Sequence, residues 1–320
     1  MARDGVGAGG GRFAAVAALA GNPLGYPDGR SFAAILGESP SRGARSPTLW
    51  NAAFAAQGVD ARMLPIDVTS ERLISMLDAL DANAHFIGGA VTVPHKEVVA
   101  RWLGDRVTPE ARAIGAVNCL FRGRDGRLHG TNTDGEGSIR SFEAQFGAVR
   151  GNRVLLLGPG GAGKAVAAFF QHAGCELMIA SRSDEATAVA ERLHARATTA
   201  AAELLRARAL AWDAIDDVLS ACDVLINCTS VGAGKQIGMS PLTAEQLGKL
   251  PPTAAVFDII YQPSPTALLA LAQARGLQTL DGSGMNLEQA VIAYGYASPA
   301  PRGVSTTRVA MVEARNQLGS

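Results

Sequence analysis

Between Val154 and Val166 the chain reads Val-Leu-Leu-Leu-Gly-Pro-Gly-Gly-Ala-Gly-Lys-Ala-Val, which sets an aliphatic strand, a glycine turn and a helix start in immediate succession. Few backbones satisfy that order. Gly158 permits the tight turn, Gly160 lets the main chain approach a pyrophosphate, and Gly163 lets the helix lie against the strand. Gly161 and Ala162 open the helix, whose first N–H groups face an anion. The pattern predicts a dinucleotide-binding unit with Gly158, Gly160, Gly161, Ala162 and Gly163 against the cofactor. It is not a P-loop, because that loop needs Ser or Thr after its Lys and Ala165 follows Lys164.

Around this unit, Arg153–Leu157, Glu176–Ala180, Val224–Cys228 and Ala255–Ile259 are short, aliphatic and almost uncharged, as strands covered on both faces must be. Helical stretches fill the gaps. Parallel neighbours can be joined only by long crossovers, so the alternation predicts a Rossmann-type doubly wound parallel sheet. Upstream, strands are expected at Phe32–Leu36, Ala61–Ile66 and His85–Val93. Helices are expected at Pro47–Gln57, with Leu49, Trp50, Phe54 and Ala55 inward, at Ser70–Ala79, and briefly from Pro94. Two more close the chain, near Asn286–Tyr296 and Ser305–Leu318. The expected fold is therefore α/β with two domains. Residues 1–30 form an extension, disordered or strand-like; 31–135 a substrate-binding α/β domain; 136–281 the dinucleotide domain; and 282–320 helices returning to the substrate domain.

The composition agrees with that size and narrows the partners. At 320 residues, 48% hydrophobic and 18% charged, the chain can bury two cores. Its 29 basic and 29 acidic residues cancel and form no block of like charge, so nothing builds a surface for nucleic acid or anionic membrane. A small-molecule partner follows. Cys119, Cys175, Cys222 and Cys228 show no CxxC spacing and sit mostly in apolar runs, which reads as buried free thiols in a reducing cytoplasm, with no metal site. No run approaches the ~18 apolar residues of a membrane span. The stretch from Phe13 to Ala20 imitates a signal peptide, but an exported context conflicts with a dinucleotide site.

After the second strand of the predicted sheet comes Ser181-Arg182-Ser183-Asp184, where such folds read the adenosine ribose. An Arg flanked by hydroxyls suits a 2′-phosphate, whereas an acid would accept from a free 2′-OH and repel phosphate. NADP is expected, with Ser181, Arg182 and Ser183 as its residues; Asp184 keeps NAD as the alternative.

Polar residues in the first half cluster where strands end: Thr92 and Lys96 in Val91-Thr92-Val93-Pro94-His95-Lys96, Asn118 in Gly115-Ala116-Val117-Asn118, and Asp134 in Asn132-Thr133-Asp134-Gly135. Open α/β sheets bind ligands at carboxyl ends. Together with the glycine loop, and from about Phe32 to Gln289, these segments resemble the shikimate dehydrogenase family. Further matches are Ser46-Pro47 with Asn51, Asn227-Cys228-Thr229-Ser230, Asp258-Ile259-Ile260-Tyr261, and Asp281-Gly282-Ser283-Gly284-Met285 leading to Gln289. The resemblance implies an NAD(P)-dependent dehydrogenase in which Lys96 and Asp134 are the catalytic pair. It implies Thr92, Asn118 and Gln289 on ring hydroxyls, Ser46 on the substrate carboxylate, and Tyr261 also on the substrate side. Thr229, Gly282 and Met285 fall to the cofactor. The chemistry suits Lys96, since hydride reduction of a ketone leaves negative charge on oxygen, and a group there must donate a proton and take it back in reverse. His95 reads as a helix-start residue.

Three departures from the family pattern bear on the substrate. Its usual His-Ser-x-Ser-Pro is Gly43-Ala44-Arg45-Ser46-Pro47 here, Ala90 stands for the usual Asn before Val-Thr, and Trp50 stands for the usual His. Ala44 removes one hydroxyl of that pattern, which costs a buried carboxylate about 1.5–3 kcal/mol unless Arg45 or Arg42 replaces the donor. The three changes are expected to remodel one wall of the pocket, so the substrate is shikimate, quinate or another cyclic hydroxy acid. Two other readings stand beside this one: a non-catalytic dinucleotide or metabolite sensor, and a folate-linked dehydrogenase of similar architecture. The expected assembly is a monomer or homodimer.

Overall fold

A computed structural model of the chain describes residues 10–25, 30–194, 207–298 and 304–318. It divides into two compact units, one running to Thr133 and resuming at Ala290, the other spanning Asp134–Gln289.

The first unit holds α1 (Gly10–Leu19), β1 (Ser31–Gly37), α2 (Ser46–Gln57), β2 (Ala61–Asp67), α3 (Leu73–Asp81), β3 (Phe86–Val91), α4 (Lys96–Leu103), α5 (Pro109–Ile114), β4 (Cys119–Arg122) and β5 (Leu128–Thr131). Its sheet has the order β2-β1-β3-β4-β5, with β1 parallel to β2 and β3 and the last two strands antiparallel. Burial of Leu49, Trp50, Ala53, Phe54 and Gln57 turns one face of α2 inward, while Ala55, expected inward, is exposed. The β4–β5 hairpin was not anticipated, although Asp125-Gly126, with Gly126 at φ +75°, is a hairpin-turn dipeptide.

The N-terminal extension departs from expectation. Residues 10–19 form a helix, and Phe13 and Val16 are buried in the core of this unit. Phe13 meets Phe32 edge-on at 5.3 Å between ring centroids. An alanine-rich run with apolar residues three apart covers a sheet face well as a helix, and that burial outweighs its weak resemblance to a strand. Residues 1–9 and 26–29 lie outside the described part.

The second unit holds α6 (Asp134–Phe146), β6 (Arg153–Leu157), α7 (Gly161–His172), β7 (Glu176–Ser181), α8 (Glu185–His194), β8 (Arg208–Ala211), β9 (Val224–Asn227), α9 (Ala244–Leu247), β10 (Ala255–Asp258), α10 (Ala267–Ala274) and β11 (Gln278–Leu280). The six strands are all parallel in the order β11-β10-β9-β6-β7-β8. Chain direction across the sheet therefore reverses between β6 and β9, the topological switch of a doubly wound fold. Helix α11 (Ser283–Ala297) starts in this unit and crosses into the first, where α12 (Val304–Leu318) packs on α2. Gln57 Nε2 donates to Thr307 Oγ1 across that contact.

One side chain closes much of the first unit. Arg122 donates to the carbonyls of Phe86 (2.8 Å), Asp81 (2.8 Å), Leu80 (2.7 Å), Asn83 (2.7 Å) and Gly126 (2.9 Å). Leu80 and Asp81 end α3, where carbonyls have no partner within the helix. We expect Arg122→Ala to lower stability by on the order of 3 kcal/mol, through carbonyls left unpaired, with Arg122→Lys recovering only part. Urea unfolding followed by circular dichroism checks this.

Candidate active site

In the first unit the parallel strands β1, β2 and β3 all finish at one edge, where Thr92, Lys96 and Asn118 of the polar residues singled out in the sequence lie. Thr92, half-buried, follows β3 with its N–H on Leu36 O at 2.8 Å, and a Cβ added to Gly37 would stand 2.4 Å from the Thr92 methyl. Lys96 opens α4 and is half-buried; its carbonyl accepts from Val117 N at 3.0 Å, which brings the Asn118 segment alongside. Asn118 is 3% exposed: its carbonyl accepts from Val91 N (2.7 Å), its amide Nδ2 donates to Thr133 Oγ1 (3.0 Å), and Thr133 N donates to its Oδ1 (2.8 Å). Thr92, Lys96 and Asn118 thus stand on the end of β3, the start of α4 and the lead into β4, segments that Val91 N to Asn118 O and Val117 N to Lys96 O tie together.

Ser46 is buried at the first position of α2, with Arg45 half-buried at its N-cap. The loop ahead of it is anchored to the end of β2, since Ser41 N and Oγ both donate to the Asp67 carboxylate, at 2.9 and 2.6 Å. Asn51 does structural work instead: its amide exchanges two hydrogen bonds with the backbone of Met63, clamping α2 to β2. His95 is 1% exposed and bonds Val68 O through Nε2 at 2.7 Å, as a buried helix-start residue should. Ala90 is buried in mid-sheet, beside Ile35 and Cys119. Trp50 corrects the expectation that it shapes a pocket wall. It is fully buried, edge-on to Phe54 and Tyr294 at 6.0 and 5.4 Å, and an indole with no exposed surface belongs to the core. Of the three departures, Ala44, half-buried in the loop before α2, and Ala90 remain.

In the second unit the glycine turn has the geometry its sequence demands. Gly158 lies at φ +86°, and a Cβ there would meet the Thr229 methyl at 2.7 Å. A Cβ on Gly163 would stand 2.1 Å from Gly158 O, whereas one on Gly160 would meet nothing within 4 Å. The backbone is therefore sealed at the first and third positions and open at the second. Gly160 caps α7, and Gly161 and Ala162, both half-buried, follow. An anion held there would face unpaired helix N–H groups.

At the end of β7, Ser181, Arg182, Ser183 and Asp184 line a cavity of about 550 Å³ that continues over Ala209–Asp213 at the end of β8. Ser183 N donates to Ser181 Oγ at 3.2 Å, which shapes the turn and leaves Arg182 exposed. Trp212 and Asp213, which follow β8 and also line the cavity, went unnoticed in the sequence; the signal was an aromatic residue directly after the third strand of the unit. The cavity lining thus offers one guanidinium, three hydroxyls including Thr187, two carboxylates and an indole.

Asp134 is buried at the first position of α6, the positive end of that helix. One turn on, Gly137 has no room for a Cβ, which would stand 2.8 Å from Gln289 N, so α6 and α11 pack backbone to backbone. Gln289 is 9% exposed and donates through Nε2 to Asn286 O at 2.9 Å. Tyr261 is half-buried beyond β10. Thr229 follows β9, held by Asn227, whose Oδ1 accepts from Thr229 N (3.0 Å) and Oγ1 (2.7 Å). Gly282 is pressed on the loop after β10, donating to Ile260 O at 3.0 Å, whereas the Met285 side chain is buried in the core with Phe142 and Phe257.

The four cysteines are free, Cys228 half-buried and the others buried. Burial pushes the Cys175 and Cys222 thiols up to about 12, so neither is a thiolate near neutral pH. Among the described residues no helix is long and apolar enough to cross a membrane.

Comparison with known proteins adds to this geometry. Residues 36–120 match the family described as shikimate dehydrogenase substrate binding domain. Over 265 residues, covering 82% of this chain and 89% of the relative, the chain is 37% identical to a shikimate dehydrogenase (NADP(+)) of Thermosynechococcus vestitus. The structure is similar to shikimate 5-dehydrogenase from Thermus thermophilus in complex with NADP(H) and shikimate, with a TM-score of 0.73, 30% identity and coverage of 89% and 99% of the two chains. It is also similar to quinate dehydrogenase from Corynebacterium glutamicum in complex with NAD, with a TM-score of 0.75, 28% identity and coverage of 89% and 99%.

The sealed and open glycines make a paired prediction. Gly163→Ala should cost about 1–3 kcal/mol, because its methyl must displace a backbone carbonyl. Gly160→Ala should stay within about 1 kcal/mol of the parent. Thermal unfolding of both variants beside the parent checks the contrast.

Proposed function

Because the chain belongs to the shikimate dehydrogenase family, we propose that it catalyses reversible, NADP-dependent hydride transfer between nicotinamide and a ring ketone or hydroxyl of shikimate, quinate or a related cyclic hydroxy acid. The observation that carries the reading is that Thr92, Lys96 and Asn118 stand at the carboxyl end of β3, on segments joined by backbone bonds. No observation favours the sensor or the folate-linked alternative.

When bound, the nicotinamide supplies or takes the hydride. The chain's own residues handle the proton and the orientation. In the reductive direction the Lys96 ammonium gives its proton to the carbonyl oxygen as negative charge grows there; in the oxidative direction the neutral amine takes the hydroxyl proton. Asp134 is the carboxylate we assign to Lys96 as catalytic partner. Thr92, Asn118 and Gln289 would orient ring hydroxyls, Tyr261 would lie on the substrate side, and Ser46 would hold the carboxylate. The first unit would serve the substrate and the second the dinucleotide.

The cofactor fits the residues present. The backbone at Gly160 is open to a pyrophosphate, and Arg182 with its two serines lines a cavity placed where the fold reads the adenosine ribose. Thr229 and Gly282 would take the other half. NADP is the cofactor we assign, and NAD is the comparison to run, since Asp184 and Asp213 bring carboxylates to the same cavity. The reading includes a cytoplasmic location, in keeping with four free cysteines. It also includes a monomeric or homodimeric state, which sedimentation distinguishes.

Lys96→Ala should lower turnover by on the order of a thousandfold while NADPH affinity stays within about twofold. Steady-state kinetics and reduced-cofactor fluorescence measure the two, and retained turnover would sink the assignment. Restoring the absent hydroxyl with Ala44→Ser should raise kcat/KM for shikimate about tenfold, as one added hydrogen bond to a buried carboxylate predicts. A panel of cyclic hydroxy acids with both cofactors reads that change against the other substrates.

A further inference from the structure

A carboxylate with no assigned role lies in the interior of the second unit. Asp258, the last residue of β10, is 0% exposed. It accepts from Thr266 Oγ1 at 2.7 Å, from Asn227 Nδ2 at 3.1 Å and from Ile260 N at 3.1 Å. Taking a carboxylate out of water is costly, and an apolar residue of similar size would pack a sheet end at least as well. A packing role leaves the charge unexplained, and the identity of its three donors supplies an explanation.

Each donor belongs to a different segment at the carboxyl edge of the sheet. Asn227 ends β9, Ile260 lies in the loop that leads to Tyr261, and Thr266 caps α10, accepting from Leu269 N. Asn227 passes the constraint on. While its Nδ2 reaches Asp258 and Val231 O, its Oδ1 holds Thr229 N and Oγ1, and Thr229 Oγ1 in turn accepts from Val231 N at 3.1 Å. The whole turn from Asn227 to Val231 is therefore set by one buried group. That turn abuts the glycine loop, since a Cβ on Gly158 would stand 2.7 Å from the Thr229 methyl and 3.1 Å from Thr229 N. On the other side, Gly282 N donates to Ile260 O at 3.0 Å, so the loop after β11 rests on the segment that Asp258 fixes.

We propose that Asp258 is a positioning residue for the nicotinamide half of the cofactor site, acting through Asn227 on the Thr229 turn and through Ile260 on the Gly282 loop. The proposal rests on the dinucleotide reading given above. A doubly wound sheet has two mononucleotide-binding halves that meet at its switch. The adenosine cavity lies on the β7–β8 side of β6, whereas Asp258, Asn227 and Gly282 lie on the β9–β11 side. Disturbing Asp258 therefore acts on one half and spares the other. Burial pushes the Asp258 carboxyl up from its ordinary value against the pull of its three donors, a sign of how far it is withdrawn from solvent.

The test compares the full-length protein with Asp258→Ala and Asp258→Asn. Binding of 2′,5′-ADP probes the adenosine half alone, NADPH fluorescence probes both halves, and steady-state kinetics with shikimate gives kcat and KM separately. Asp258→Ala should keep 2′,5′-ADP affinity within about twofold, weaken NADPH about tenfold and lower kcat by at least as much, in line with loss of a buried network. Asp258→Asn keeps an acceptor for Asn227 and Ile260, and its amide can donate to the Thr266 hydroxyl, so it should recover most of both. The proposal is overturned if Asp258→Ala binds NADPH and turns over like the parent, or if both ligands weaken equally. If Asp258→Ala does not fold, Asn227→Ala cuts the same link from the other side and must reproduce the split; equal weakening of both ligands there overturns the proposal too. Failure of the parent to bind either nucleotide would instead remove the dinucleotide reading beneath it.

Discussion

Parallel strands that stop together leave a row of peptide groups with no ladder partner, and both units of this protein are organised around how that row is satisfied. In the first, backbone does most of it: Thr92 N takes Leu36 O, Val91 N takes Asn118 O, and Val117 N takes Lys96 O. These bonds join the ends of β1 and β3, the start of α4 and the lead into β4, so the side chains on those segments are fixed relative to each other. In the second unit similar backbone bonds, Cys228 N to Leu157 O and Ile259 N to Asn227 O, are joined by side chains, Asn227 and Asp258, which satisfy the turns beyond β9 and β10 with a buried amide and carboxylate.

The two solutions suit different demands. In the proposed reading the first unit presents an ammonium, a hydroxyl and an amide to a small polyol, which needs side chains projecting from a rigid edge. A site that must lay backbone against a pyrophosphate needs side chains absent, which is why glycine is confined by Gly158 O at one position and opens to space at another. The edge of a sheet thus projects side chains in one unit and, at the glycine turn after β6, offers bare backbone in the other.

The doubly wound sheet was legible because its buried strands are aliphatic runs with the glycine turn directly after one of them, and each glycine had a reason that could be named in advance. The first three strands of the other unit were legible for a similar cause. The β4–β5 hairpin was not, because its strands are four residues each and carry Arg122 and His129 among their apolar residues. β8 was missed as well: Arg-Ala-Leu-Ala at the edge of a sheet has too little apolar character to stand out, and Trp212 and Asp213 were hidden with it. Trp50 shows how two sound clues can diverge. Its helical spacing placed it on the apolar face of α2, while its position in the family pattern suggested a pocket wall, and complete burial settles in favour of spacing. Asp258 was quoted only as part of a matching segment, because the burial of a carboxylate cannot be seen until the strands beside it are.

Helix α1 changes where the folded first unit begins. Phe13 sets its ring against Phe32, the first buried residue of β1, and Phe32 in turn meets Phe86 at 5.4 Å. A shortened version of this protein started at Ser31, as the family match from residue 36 would invite, would strip one aromatic from that stack and leave part of α3 uncovered. Any tag or truncation for expression is better designed around this helix than through it.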